Sequence, residues 1–212
     1  MADSNTNLWT LPEHVREYLD KADTIPHRTE GEAVLLECLP PHVTRVLDLG
    51  SGDGRLLHLV KLARPNVRAI AADFSPSMLG RLRQRFASDP SVQIVVHDLD
   101  EHLPRSFGSF DAVVSSFAIH HLTHPRKRAL FEEVFELLDP GGVFLNLEHV
   151  ASPTPALHER FLATLDMTLE DEDPSNKLLD VETRLGWLRA SGFIDVDCLW
   201  KWRELALLAA IK

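Results

Sequence analysis

Between residues 43 and 149, short apolar segments of strand-like composition alternate with amphipathic segments of helical spacing. This alternation restricts the fold more than any other feature, because parallel strands need crossover connections that cover both faces of a sheet. Two further strand candidates lie so close together near residue 212 that they must pair antiparallel. We therefore predict an α/β fold with a doubly wound, seven-stranded, mostly parallel sheet that contains one antiparallel strand. The candidate strands are RVLDL, VRAIAAD, VQIVVHD, FDAVVSSF, GVFLNLEHV, FIDVDCLW and RELALLAAIK.

The first forty residues lie outside this alternation and have a helical pattern. Leu11, Val15 and Leu19 recur at helical spacing, and Pro40 and Pro41 stop a second helical segment. We predict that residues 1–42 form an N-terminal helical cap or lid and that residues 43–212 form a Rossmann-like domain.

A second departure follows the fifth strand. Leu157, Phe161, Leu165 and Leu169 form one apolar stripe, which predicts a helix from Thr154 to about Leu169. We predict a helical insertion at about residues 154–175, which is a second candidate for a segment that covers a site.

The stretch VLDLGSGDGRLL, residues 46–57, places three glycines between the first strand and the first crossover helix. Doubly wound sheets bind nucleotides at this position. Asp73 ends the next strand, where an acid accepts hydrogen bonds from ribose hydroxyls. Asp48 and Asp53 would repel the pyrophosphate of a dinucleotide, and no Gly-Lys-Ser/Thr follows as in a P-loop. The loop therefore favours a cationic or zwitterionic ligand, unless its glycines serve only the turn.

Five segments in order, VLDLGSGDG, AADFSPSML, VVHDLDEHLP, FDAVVSSFAIHHL and LDPGGVFLNLEH, make residues 43–212 resemble the class I S-adenosylmethionine-dependent methyltransferases. The resemblance implies S-adenosylmethionine as cofactor, S-adenosylhomocysteine as product and transfer of the methyl group by direct displacement. It implies four groups of cofactor contacts. The amino-acid portion would lie near Asp48, Gly50 and Gly52, the ribose on Asp73, the adenine beside Phe74 and Met78 with its edge on Asp98 and the Leu99 backbone, and the methionine portion at Ser116.

The acceptor side is expected where histidines follow the fourth and fifth strands, because open sheets place their sites at strand carboxyl ends. A histidine there is a candidate general base. Adjacent residues cannot both point the same way, so one of His120 and His121 should face the pocket. His121 is our first choice of base and His120 the second, and Glu148 would orient a donor group. The alternative is that these histidines only pack the loop. These histidines and Glu148 could also form a metal site, but no His or Cys spacing typical of one is present, so no metal is expected.

Composition narrows the class of partner. The formal net charge of −10 argues against nucleic acid, and the one short basic run, HPRKR at 124–128, is predicted to begin a solvated helix. No apolar run has the length of a bilayer span. The two cysteines, Cys38 and Cys198, fit a reducing compartment. We therefore expect a cytoplasmic protein, with no membrane partner, that acts on a small-molecule acceptor as a monomer or homodimer.

Three other functions remain open at this point. A protein of the same fold can use S-adenosylmethionine for chemistry other than methyl donation, or can bind it without catalysis. An NAD-dependent oxidoreductase is the third. The family's NPPY-type signature for adenine or glutamine acceptors is absent, since the fourth strand ends in SSFA.

Overall fold

The computed structural model describes residues 7–212, which contain one seven-stranded sheet. The strands are β1 (Arg45–Leu49), β2 (Arg68–Asp73), β3 (Val92–Val96), β4 (Phe110–Ser116), β5 (Leu138–His149), β6 (Ile194–Trp202) and β7 (Leu205–Ile211). They lie side by side in the order β3-β2-β1-β4-β5-β7-β6. Within the described chain, β7 runs antiparallel to both of its neighbours and every other strand pair is parallel. The predicted fold, with one antiparallel strand, is confirmed.

Helices cover both faces of this sheet and divide its core into two apolar clusters. One cluster includes Leu57 and Leu82, and the other includes Leu130 and Leu188, all four with no exposed surface. The helices are α1 (Pro12–Ala22), α2 (Arg28–Cys38), α3 (Arg55–Ala63), α4 (Pro76–Arg85), α5 (His124–Leu137), α6 (Pro155–Ala163) and α7 (Val181–Ala190).

In the central strand β1, neighbouring residues are apolar because both faces of the sheet are buried. Val46 packs into one cluster and Leu47 into the other, because successive side chains of a strand point to opposite faces. β1 pairs with β2 on one side and with β4 on the other. The strand order therefore reverses at β1, and the carboxyl ends of these three strands form the crevice in which doubly wound sheets bind ligands.

The N-terminal helices differ in how they meet the domain. Leu35 and Leu39 of α2 are buried in the sheet's own core, so α2 is packed as part of the domain. In α1, Val15 is buried, whereas Leu11, just before the helix, is 38% exposed. The role of residues 1–42 as a cap or lid stays a prediction, and its first six residues lie outside the described part of the chain.

The helix predicted from Thr154 to Leu169 is shorter than expected. Thr154 caps α6 through its side chain, but the helix ends at Ala163. Asp166 has a positive φ of 54°, and the Met167 N–H turns back to the Leu162 carbonyl, which closes the helix. The predicted apolar stripe is also wrong in part, since Leu157 and Leu169 are exposed.

No helix in residues 7–212 combines the length and the apolar character that a membrane span requires.

Candidate active site

A cavity of about 720 Å³ lies at the carboxyl edge of the sheet, around the switch between β1 and β4. Its walls come from the glycine loop after β1, the ends of β2, β3 and β4, the N-terminal segment and residues 174–177. All nine residues predicted to contact the cofactor line this cavity, and their contacts with a ligand stay predictions. They are Asp48, Gly50, Gly52, Asp73, Phe74, Met78, Asp98, Leu99 and Ser116.

The glycine loop approaches the segment after β4 so closely that Gly50 admits no side chain. Its φ is +65°, a left-handed conformation, and a Cβ built on it would lie 2.2 Å from the Ala118 Cβ. The glycine therefore allows a backbone-to-loop contact at the cavity wall. The loop after β4 is thereby placed against the loop after β1.

Asp73 joins two loops at the cavity floor. Its Oδ2 accepts a hydrogen bond from the Gly52 N–H at 2.8 Å, and its Oδ1 accepts one from the Ser75 N–H at 2.8 Å. Burial raises the pKa of Asp73, and these backbone donors oppose the rise. A carboxylate offers about four lone-pair positions, so two accepted bonds leave capacity for ligand hydroxyls.

Asp48 is the most unusual charge of the cavity. Its side chain is buried, and neither carboxylate oxygen has a hydrogen-bond partner within the described chain. Burial, with the nearby charges of Asp73 and Asp53, raises the pKa of Asp48 to about 7. A buried carboxylate without a partner is costly. A cationic ligand group beside Asp48 would remove that cost, so the residues present fit the ammonium end of S-adenosylmethionine.

Other buried polar atoms around the cavity also lack partners in the described structure. They include Ser75 Oγ, Ser116 Oγ and His97 Nε2. Buried polar groups in proteins are usually paired, so their grouping around one cavity indicates a ligand site. The sequence reading missed His97, although it directly precedes Asp98 at a strand end. Burial lowers the pKa of His97, which favours the neutral ring.

The structure adds detail to two residues of the predicted adenine contact, Met78 and Leu99. Met78 is buried, and its Sδ would lie 3.8 Å from a Cβ built on Gly52. The Leu99 carbonyl accepts a hydrogen bond from Arg126 Nε at 2.6 Å. This carbonyl therefore already has one protein partner, and the backbone contact expected at Leu99 stays a prediction.

His121 lines the cavity, whereas His120 does not. Its Nδ1 lies 2.8 Å from Ser175 Oγ, and its Nε2 is buried without a partner in residues 7–212. Burial, and then the adjacent His120 ring, hold the pKa of His121 well below its ordinary value. The ring is therefore neutral at pH 7, with one nitrogen fixed on the protein.

His120 and Glu148 lie behind the cavity wall, which differs from the direct acceptor contact expected for Glu148. Glu148 has no exposed surface, and its Oε1 is 2.6 Å from His120 Nδ1. Burial opposes ionisation of Glu148, but His120 and Arg184 outweigh it and lower its pKa to about 2. The strand end is covered because Glu148 and His149 pair with β7, and α7 brings Arg184 over them. Neither Glu148 nor His149 reaches the cavity.

Another part of the cavity wall carries aromatic side chains from segments far apart in sequence. The Trp9 ring lies 5.0 Å from the His121 ring and 5.2 Å from the Tyr18 ring, measured between centroids. Arg28 lines the cavity with its guanidinium over the Phe117 ring at 5.1 Å. No periodic pattern in the sequence singles out Arg28 or Phe117. Phe117 has a positive φ of 52°, a backbone strain that clusters at functional sites.

No group of three or more His, Cys, Asp or Glu side chains within the described residues is arranged to hold a metal ion.

Comparisons with known proteins agree with this geometry. Residues 46–142 match a family described as "Methyltransferase domain". A demethylmenaquinone methyltransferase of Clavibacter sepedonicus is 33% identical over 168 residues, which cover 72% of this chain and 66% of that protein. An O-methyltransferase family protein from Burkholderia thailandensis has a TM-score of 0.75 at 20% identity, covering 96% of this chain and 61% of that one. Human N-acetylserotonin methyltransferase, solved in complex with S-adenosylmethionine, has a TM-score of 0.71 at 17% identity, covering 100% and 60%.

The fold, the carboxylate-flanked glycine loop and these similarities are those of the class I S-adenosylmethionine-dependent methyltransferase family. The chain belongs to that family, whose cofactor is S-adenosylmethionine, and the family predicted from the sequence is confirmed. The chain spans 66% of the length of its Clavibacter relative and about 60% of each of these solved chains.

Proposed function

We propose that this chain moves the methyl group of S-adenosylmethionine by direct displacement to a nucleophilic atom of a small, planar acceptor. The observation that carries the proposal is one cavity with two unlike parts. The unpartnered acid Asp48, the neighbouring Asp73 and the glycine loop form one part, and Trp9, Tyr18 and His121 form the other. Flat aromatic walls favour planar ligands through stacking, which is worth about 0.5–1.5 kcal/mol per pair beyond the area buried.

The acid part suits the cofactor. We assign the ammonium group to Asp48, the ribose hydroxyls to Asp73 and the adenine to the wall of Phe74, Met78 and Asp98. Asp53 is neutralised separately, because its side chain pairs with Arg85. No protein cation is paired with the buried Asp48 carboxylate in the described residues, which leaves this acid for the cationic end of the ligand.

The aromatic part suits the acceptor, for which a relative's name gives a chemical precedent. The Clavibacter protein is named as a demethylmenaquinone methyltransferase, and a naphthoquinone ring is planar. We propose that the acceptor of this chain is likewise a planar ring that carries a hydroxyl or carbonyl oxygen. His121 Nε2, which lacks a protein partner in the described residues, is the group that would bind this oxygen.

Bound S-adenosylmethionine supplies an electrophilic methyl group, so the protein's task is alignment and exclusion of water. In the proposed displacement an electron pair of the acceptor would form the new bond to the methyl carbon as the carbon–sulfur bond breaks, with S-adenosylhomocysteine as the leaving group. The lowered pKa of His121 makes its ring a weak store for a proton. We therefore assign it to orienting an acceptor hydroxyl, whose proton passes to solvent after transfer. His120 and Glu148 support His121 from behind, at a ring distance of 3.9 Å between the two histidines.

The test is turnover with methyl-labelled S-adenosylmethionine on a panel of quinols, phenols and aliphatic amines, with the labelled product identified by mass spectrometry. His121→Ala should lower kcat by roughly 100-fold or more, the scale of general acid–base groups, with cofactor affinity nearly unchanged. The control is His124→Ala, an exposed histidine at the start of α5 that does not line this cavity. Labelling of the amines alone would contradict the planar acceptor, and equal turnover in His121→Ala and His124→Ala would remove His121 from the reaction.

A further inference from the structure

Lys127 is a fully buried lysine that the sequence reading placed on a solvated helix. Its Nζ donates to the carbonyl oxygens of His120 at 2.9 Å and Leu122 at 2.6 Å, and also to that of Lys177. The three protons of an ammonium group match these three carbonyls in number, while burial lowers the pKa of Lys127 to about 7. The carbonyls of His120 and Leu122 belong to the loop that carries His121, and that of Lys177 belongs to residues 173–177, which contact this loop.

That segment, residues 173–177, is here termed the strap. The Lys177 N–H donates to the His120 carbonyl at 3.0 Å, and Lys177 Nζ donates to the His121 carbonyl at 2.7 Å. Ser175 Oγ lies 2.8 Å from His121 Nδ1. The strap therefore contacts the His121 loop at its backbone and at the imidazole itself.

The position of Lys127 is unfavourable for helix stability alone. It lies in the first turns of α5, where the helix dipole disfavours a positive charge, and burial adds a further cost. The three carbonyls offset that cost only while the loop and the strap stay together. The lysine is thus more specific than an apolar side chain would be at the same place, because its contacts define one arrangement of both segments.

We infer that Lys127 is a positioning residue, which joins the His121 loop to the strap and so holds the Ser175 contact that fixes the His121 ring. The consequence for turnover rests on the function proposed above. The consequence for the ring itself does not, and it can be measured without an acceptor.

The test variant is Lys127→Met, which keeps the length of the side chain and removes its donors. The matched control is Leu130→Ala, which creates a cavity on the same helix at an equally buried position in the apolar core. The primary readout is the nitrogen-15 signal of the His121 imidazole in the cofactor-free protein. It reports the tautomer of the ring and the hydrogen bonding at each nitrogen, including the Ser175 contact at Nδ1. Hydrogen exchange of residues 119–122 and 173–177 is the second readout.

We expect Lys127→Met to shift the His121 imidazole signals and to speed exchange in both segments by roughly 10- to 100-fold, the scale of losing charge-assisted hydrogen bonds. Leu130→Ala should leave the His121 signals unchanged. In turnover, Lys127→Met should lower kcat while the KM for S-adenosylmethionine stays within about twofold, and Ser175→Ala should add no further loss to it. Unchanged His121 signals in folded Lys127→Met, or equal shifts in both variants, would overturn the inference.

If Lys127→Met does not fold, Lys177→Met removes another donor of the same junction from an exposed side chain. The same shift of the His121 signals is expected, and its absence would overturn the inference. The change in the His121 imidazole signals and the change in turnover are measured separately, so each can fail without the other. If the His121 signals shift in the variant but the unmodified protein transfers no methyl group, the proposed function is contradicted and the positioning role stays supported.

Discussion

Replacement of Gly50 by alanine should cost far more stability than replacement of Gly52, although both residues have left-handed backbone. Their φ angles are +65° and +56°, and that conformation costs an L-residue about 1–2 kcal/mol. A Cβ on Gly52 would find only Met78 Sδ, at 3.8 Å, whereas a Cβ on Gly50 would lie 2.2 Å from the Ala118 Cβ. Overpacking of this kind adds about 1–3 kcal/mol. We expect losses of about 1–2 kcal/mol for Gly52→Ala and about 2–5 kcal/mol for Gly50→Ala.

The Ala118 Cβ accounts for the difference, which makes the prediction specific. Without it, the nearest neighbours of the new Cβ would be Leu99 Cδ1 at 3.6 Å and Ala118 Cα at 3.7 Å, which are ordinary contacts. The double variant Gly50→Ala/Ala118→Gly should therefore recover about 1–3 kcal/mol relative to the sum of its single variants. The free energy of unfolding is measured by urea titration of the cofactor-free proteins, followed by circular dichroism.

Two outcomes would refute this reasoning. Equal losses for Gly50→Ala and Gly52→Ala, within 0.5 kcal/mol, would show that the close approach to Ala118 does not determine the choice of glycine. Additive behaviour of the double variant would show that the clash lies elsewhere. In either case the loop after β1 would not be held against the loop after β4, and the shared cavity wall would need a different explanation.

Three further predictions concern the ligand. Burial raises the pKa of Asp48 from 3.8 to about 7, so ionisation of this group opposes folding. The free energy of unfolding of the cofactor-free protein should therefore fall by up to about 4 kcal/mol as pH rises through that interval, and should level off above it. Asp48→Asn should lose that slope in urea titrations from pH 4 to 8, and an unchanged slope would contradict the assignment. Asp73→Ala should weaken S-adenosylhomocysteine binding by about 1–3 kcal/mol in calorimetry, and unchanged affinity in the folded variant would remove it from the site. Hydrogen exchange in residues 7–22 and 173–177 should slow when S-adenosylhomocysteine and acceptor bind, and equal exchange in both states would count against a lid.

The cofactor side of the cavity was predictable because its residues are consecutive or end a strand. Asp48, Gly50 and Asp73 owe their positions to the carboxyl ends of β1 and β2, and strand alternation in the sequence specifies those ends. Parallel strands bring them to one edge whatever the packing details. Local pattern and topology are sufficient there.

The acceptor side was not predictable to the same extent, because tertiary contacts decide it. His121 and His120 are adjacent in sequence, and only packing against Glu148 decides which ring turns inward. Lys127 has the sequence surroundings of a surface lysine, and the carbonyls that bury it include that of Lys177, fifty residues away. No periodicity encodes such a contact.

The two parts of the cavity also fit together electrostatically. Asp48 and Asp73 provide the negative charge next to the glycine loop, where a cationic ligand is proposed. A protonated His121 would add a positive charge to the same cavity and weaken binding of a sulfonium. Burial prevents this by keeping the imidazole neutral, and the strap contacts Nδ1 through the uncharged Ser175 hydroxyl. The burial that lowers the basicity of His121 is therefore the same feature that makes it compatible with a cationic methyl donor, which is why orientation rather than proton storage is its better role.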